Sequence, residues 1–126
     1  MLMEINVDNS KMVNGQIKPI NGMTEKLVSI FNSLNRDSFM PKELKERAYI
    51  EKNLALSNHR VILKPEIVAK IAMHIDLKEN ENVLILGSTT GYLTAILSLI
   101  AETVIVVEED NSYIKFSEIA TKENNL

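Results

Sequence analysis

The chain has 126 residues, 45% of them hydrophobic and 25% charged, with a formal net charge of −3 and no cysteine. This length suits one domain with one modest core; the acidic balance argues against a phosphate-backbone binder, which needs clustered Lys and Arg, and the lack of cysteine excludes disulfides, a Cys-based zinc site and a thiol nucleophile. The first ten residues hold acidic and polar side chains where a leader is basic and then apolar, and the apolar runs Val83–Leu86 and Leu93–Ile100 fall short of the roughly 20 residues of a membrane span, so the expected setting is the cytoplasm, with no nucleic-acid or membrane partner.

Residues 1–50 read as helical throughout. Thr24 is placed to cap a helix in which Leu27, Ile30, Phe31 and Leu34 recur at i, i+3, i+4 and i+7. NRDSFMP ends that helix, and Pro41 starts a second short one, PKELKERAY, whose alternating charges mark a solvated face. LALSNHRVIL mixes apolar and polar residues and has room for one or two short strands. Pro65 fits the first turn of a helix striped by Ile67, Val68, Ile71, Ala72 and Ile75. The polar loop DLKENEN follows. Its Lys78–Glu81 portion is the one internal boundary, dividing a single domain of residues 1–126 into a mostly helical region, 1–80, and a βαβα region, 81–126.

From Asn82 the texture changes. NVLIL is a β-branched, bilaterally apolar run of the kind found in parallel strands buried on both faces. GSTTG makes a turn, Leu93, Ile96, Leu97 and Ile100 form a helical stripe, and TVIVV supplies a second buried strand ending in Glu108, Glu109 and Asp110. The result is a βαβ unit with adjacent parallel strands. In the tail, Tyr113, Phe116 and Ala120 share one helical face, which Glu109 and Asp110 are positioned to cap.

A strand that ends in glycine and opens into a helix presents free backbone N–H groups at a positive helix end, which suits an anionic or nucleotide-like ligand. A carboxylate at the end of the next strand, about 20 residues on, can accept from both ribose hydroxyls, and Glu108 stands near that distance from Gly87. G-S-T-T-G itself matches neither G-x-G-x-x-G nor the P-loop pattern. By spacing alone it reads first as a tight turn in which Gly87 supplies an unusual backbone conformation and Ser88, Thr89 or Thr90 caps the helix. The two histidines, His59 and His74, share no metal-ligand spacing, so no metal site is expected.

Taken together, five ordered segments resemble the protein-L-isoaspartate O-methyltransferases, a class I family dependent on S-adenosylmethionine. Met12, Val13, Gln16 and Ile17 resemble its M-V-x-x-Q-I opening, Phe39–Pro41 its F-V-P, and Ala48–Tyr49 its A-Y; Val61–Pro65 is similar to T-I-S-x-P, and VLILGSTTGY to V-L-E-I-G-x-G-S-G-Y. The resemblance implies an α/β fold, a helical N-terminal layer followed by part of a Rossmann-like methyltransferase sheet. It implies S-adenosylmethionine as cofactor, held by Gly87, Ser88, Gly91, Tyr92 and Glu108, and damaged proteins or peptides as substrates, methylated at the isoaspartyl carboxyl group.

The chain departs from the family at Leu63, which replaces the motif's hydroxyl and leaves no catalytic residue to name, and at Val61, Ile85 and Thr89, where the family has threonine, an acidic residue and glycine. Ser57-Asn58-His59 stands where the family has G-H-G. The family's sheet has seven strands and two are read here, so a central strand such as Val83–Leu86 is expected to lack a neighbour on one side, an open sheet edge that a second copy or a partner would cover. An alternative is therefore a non-catalytic family member or truncated remnant, acting as a cofactor-sensing or protein-interaction module.

Overall fold

A computed structural model describes residues 6–126, with Asn58 through its backbone alone. The first five positions of the stretch expected to be helical lie outside the described residues. Helix α1 (Val7–Met12) starts where the Asn6 side chain accepts from the Asn9 amide, and it runs on into one π-helical segment, Val13–Ile17. Helix α2 (Glu25–Ser33) begins at Thr24, whose hydroxyl accepts from the Leu27 amide at 3.2 Å. Leu27 and Phe31 are buried on its inner face, and Leu34 is buried just past its end.

Two 3₁₀ segments follow, Arg36–Phe39 and Lys42–Arg47. The second takes the place of the short helix expected after Pro41. It contains no buried residue, and a segment with no apolar face to pack gains little from forming full α-turns. Strands β1 (Leu54–Ala55) and β2 (Val61–Ile62) pair antiparallel around a 3₁₀ turn at Ser57–His59, as the mixed pattern suggested. Leu54 and Ile62 form a small cluster with Met40 and Ala48, separate from the main core.

Helix α3 (Pro65–Ile75) carries Pro65 at its start. Its buried face is Pro65, Val68, Ala69 and Ala72, and Ile75 is 44% exposed, so the predicted stripe is turned away from the core by part of a turn. The small side chains of Ala69 and Ala72 explain the rotation. They let α3 pack closely against α2 and the π-helical segment, which larger isoleucines in the same place would prevent.

Strand β3 (Asn82–Leu86), helix α4 (Tyr92–Ser98), strand β4 (Thr103–Val107) and helix α5 (Asn111–Glu123) complete the chain. β3 and β4 are adjacent and parallel, paired from Asn82↔Thr103 to Leu86↔Val107. Ile96 and Leu97 of α4 reach into the main core, where they meet Val13, Ile17, Phe31, Leu34 and Phe39 from the helical region. α5 is capped by the Asp110 carboxylate, which accepts from the Ser112 amide, and it buries Tyr113 and Ala120.

The strands are not buried on both faces. Val83, Ile85 and Val104 pack on the core, but Leu84, Leu86, Ile105 and Val107 are between 55% and 72% exposed. Alternate residues of a strand point to opposite faces, and among the described residues helices cover one face only. No helix of the described residues is long and apolar enough to cross a membrane.

Candidate cofactor site at the β3–α4 bend

The bend after β3 depends on three left-handed residues. Gly87 has φ +76°, Thr89 φ +51° and Gly91 φ +93°. Glycine takes this conformation without steric cost, whereas a β-branched side chain does so at a cost of about 1–2 kcal/mol. Gly91, and not Ser88, Thr89 or Thr90, is the N-cap of α4, and it makes no side-chain cap bond. Gly91 also has a packing role: a Cβ there would lie 2.7 Å from the Cβ of Ser117 on α5.

Beside the bend is a cavity of about 240 Å³, lined by Gly87, Ser88, Thr89, Thr90 and Tyr92 together with Ile62 and Leu63. A larger hollow, about 900 Å³, shares no lining residue with it and lies between Gly22–Leu27 and Met73–Asn80. Thr90 and Tyr92 are buried, and among the described residues neither the Thr90 Oγ1 nor the Tyr92 hydroxyl has a hydrogen-bond partner. The Tyr92 ring is in the core, with centroids 6.2 Å from Phe31 and 5.5 Å from Phe39, and the Arg36 guanidinium is 4.8 Å from its ring centre. Leu63 contributes its carbonyl to the interior by accepting from Arg36 Nη2 at 3.0 Å.

Glu108, immediately after β4, turns its side chain toward the bend and is fully buried there. Its Oε1 accepts from the Thr89 amide at 2.8 Å and from Arg60 Nη2 at 2.5 Å; its Oε2 accepts from Arg60 Nη1 at 2.7 Å and from the Asp110 amide at 2.9 Å. A carboxylate offers about four lone-pair positions, and all four are taken. The bidentate Arg60 contact and these amides pull the Glu108 carboxyl down from 4.5 to about 2, and the same contact raises the Arg60 guanidinium.

Thus the expected residues Gly87, Ser88 and Glu108 meet around one bend, with Thr89 joining them through its amide. Gly91 and Tyr92 adjoin the bend but make their closest contacts with α5 and the core. Three buried or bridging polar residues had no signal in the periodicity. Arg60 is the sole Lys or Arg between Lys52 and Lys64, the one hint that it is special. Arg36 is buried, its Nε donating to the Ala48 carbonyl at 2.6 Å, with burial lowering its pKa. Asn9 donates to the Phe31 carbonyl and accepts from the Arg36 amide.

A parallel β–bend–α–β unit with a carboxylate at the end of its second strand, set on a helical layer, defines part of a Rossmann-like nucleotide-binding domain. Residues 7–125 match the sequence family described as protein-L-isoaspartate(D-aspartate) O-methyltransferase. The chain belongs to that family. A protein-L-isoaspartate O-methyltransferase of Petrotoga mobilis is 30% identical over 125 residues, covering 95% of this chain and 59% of that protein. Its counterpart in Myxococcus xanthus is 37% identical over 75 residues, 60% of this chain and 35% of that one. The fold is also similar, at TM-score 0.75 and 18% identity, to a Plasmodium falciparum protein of the same description solved in complex with S-adenosyl-L-homocysteine, with 92% of this chain and 56% of that one covered. The chain spans about half the length of the curated relatives it matches.

Proposed function

We propose that this chain binds S-adenosylmethionine at the β3–α4 bend and serves methyl transfer to isoaspartyl carboxyl groups of damaged proteins, in the cytoplasm. The observation that carries this reading is Glu108: a buried carboxylate at the end of β4 bonded to the amide of Thr89, a bend residue that lines the cavity of about 240 Å³. The bend and the acid fit the cofactor, provided Arg60 leaves Glu108. Gly87 and Ser88 would line its path, Gly91 and Tyr92 would set the start of α4, and Glu108 would accept from the ribose hydroxyls. When bound, the sulfonium supplies an electrophilic methyl group, and the protein's task is to hold a carboxylate in line with it. Leu63 brings only an aliphatic side chain to this cavity, so we name no catalytic residue. Residues 1–80 and 81–126 act in this reading as two regions of one domain.

Calorimetric titration with S-adenosylmethionine, followed by a radiolabelled methyl-transfer assay on an isoaspartyl peptide, tests the reading. Micromolar binding with low turnover is the expected result; no detectable heat from the folded protein overturns it.

A second reading, an interaction module without turnover, is favoured by one observation: the aliphatic block of Leu84, Leu86, Ile105 and Val107 on the open sheet face. A surface of this kind marks a contact with another polypeptide, in the simplest case a second copy.

A further inference from the structure

The cofactor reading leaves Arg60 without a role, yet among the described residues it is the side chain hydrogen-bonded to the acid on which that reading rests. Its guanidinium reaches Glu108 from a position 48 residues away, between β1 and β2, and lies 5.3 Å from the ring centre of Tyr113 on α5. It also comes close to the bend: a Cβ on Gly87 would stand 3.3 Å from Arg60 Nη2. The guanidinium therefore fills the space between the glycine bend, the end of β4 and the start of α5.

The bond pattern is informative. Of the four positions accepted by Glu108, the two from Thr89 and Asp110 are backbone amides fixed by the fold, whereas the two from Arg60 come from a side chain that is 22% exposed. One Arg60 bond falls on each carboxylate oxygen. Removing the guanidinium frees one acceptor on Oε1 and one on Oε2, which is the number a vicinal diol such as a ribose needs.

We propose that Arg60 is the affinity-setting residue of the cradle: its guanidinium occupies the place of the ribose hydroxyls on Glu108 and must swing out before a nucleoside ligand binds. The proposal rests on the cofactor reading above. A ligand then sees only the fraction of molecules in which Arg60 is displaced, and its apparent affinity falls by that fraction. The side chain has somewhere to go, being already part-exposed and long enough to keep its stem in place while its head reaches solvent.

The test titrates S-adenosylhomocysteine into the wild-type chain, Arg60→Gln, Arg60→Lys and the double variant Arg60→Gln/Glu108→Gln, each checked for folding by circular dichroism. Arg60→Gln is expected to bind about tenfold or more tightly than wild type, with Arg60→Lys between them, since lysine keeps the charge but not the two-pronged contact. The double variant is expected to lose the gain. If wild type binds and folded Arg60→Gln binds equally or less tightly, the gating role of Arg60 is overturned while the cofactor reading stands. If neither binds, both fall together. A readout independent of the variants' stability is the ¹⁵N resonance of the Arg60 Nε in the wild-type chain, assigned by its loss in Arg60→Lys. It should shift as S-adenosylhomocysteine saturates the protein, and an unmoved resonance at saturation overturns the proposal.

Discussion

The amide of Thr89 donates to Oε1 of Glu108 at 2.8 Å, tying the bend that follows β3 to the residue that follows β4. The bond requires the Thr89 amide to face across the two strand ends, and that is where the chain adopts φ +51°. A threonine is thus held in a conformation that suits glycine, by a bond that any residue's amide would make.

Replacing Thr89 by glycine should relieve the strain and keep the amide bond. The net gain is expected to be about 0.5–1 kcal/mol, because part of the relief is offset by the greater freedom of glycine in the unfolded chain. Urea unfolding of Thr89→Gly against wild type measures it, and a loss of stability would show that the threonine side chain, whose hydroxyl donates to the Ser88 carbonyl at 2.8 Å, contributes more than its strained backbone costs.

The Glu108 carboxyl titrates at about 2 in the folded protein against an ordinary 4.5. A lowered carboxyl pKa adds stability that is fully present above pH 4.5 and is lost as pH falls through about 2. Glu108→Gln should therefore be less stable than wild type by about 2 kcal/mol at neutral pH, and the gap should close between those two pH values. Denaturant midpoints at a series of pH values give the result; a gap that stays constant into acid would mean the ion pair with Arg60 contributes little.

Gly91→Ala meets two obstacles, its φ of +93° and the 2.7 Å approach to the Ser117 Cβ. A destabilisation of about 2–4 kcal/mol is expected. Adding Ser117→Gly to Gly91→Ala should recover the steric part but not the conformational part, giving a favourable coupling in a double-mutant cycle read by thermal unfolding.

Arg36 is buried among carbonyl acceptors, with no carboxylate among its hydrogen-bond partners in the described residues. Arg36→Met is expected to fill the space but leave the Ala48 and Leu63 carbonyls without their donor, at a cost of about 2–3 kcal/mol. Chemical denaturation measures the loss, and a neutral outcome would mean that solvent reaches those carbonyls.

The bare face of the sheet predicts self-association. Leu84 and Ile105 are register partners on that face, 57% and 55% exposed. Light scattering across a concentration series should give a mass above that of one chain, and Leu84→Lys with Ile105→Glu should return it to the monomer. A wild-type protein that stays monomeric throughout would overturn the contact between copies.

Much of this architecture is local, and so the sequence determined it: the caps at Thr24 and Asp110, the proline that opens α3, the turn at Gly87, and the two β-branched runs that the helix between them makes parallel neighbours. Each of these follows from interactions within a few residues or from a periodicity that any core would reward. Tertiary structure alone decided which face of α3 is buried, since Val68, Ala69 and Ala72 turn inward by virtue of the helices they meet, and which face of the strands is covered. It also decided the state of the candidate site. Glu108 stands in the sequence as a free acid at a strand end. Its pairing with Arg60 joins positions 48 residues apart, and no local pattern encodes an ion pair that forms only when the turn between β1 and β2 brings Arg60 to the end of β4.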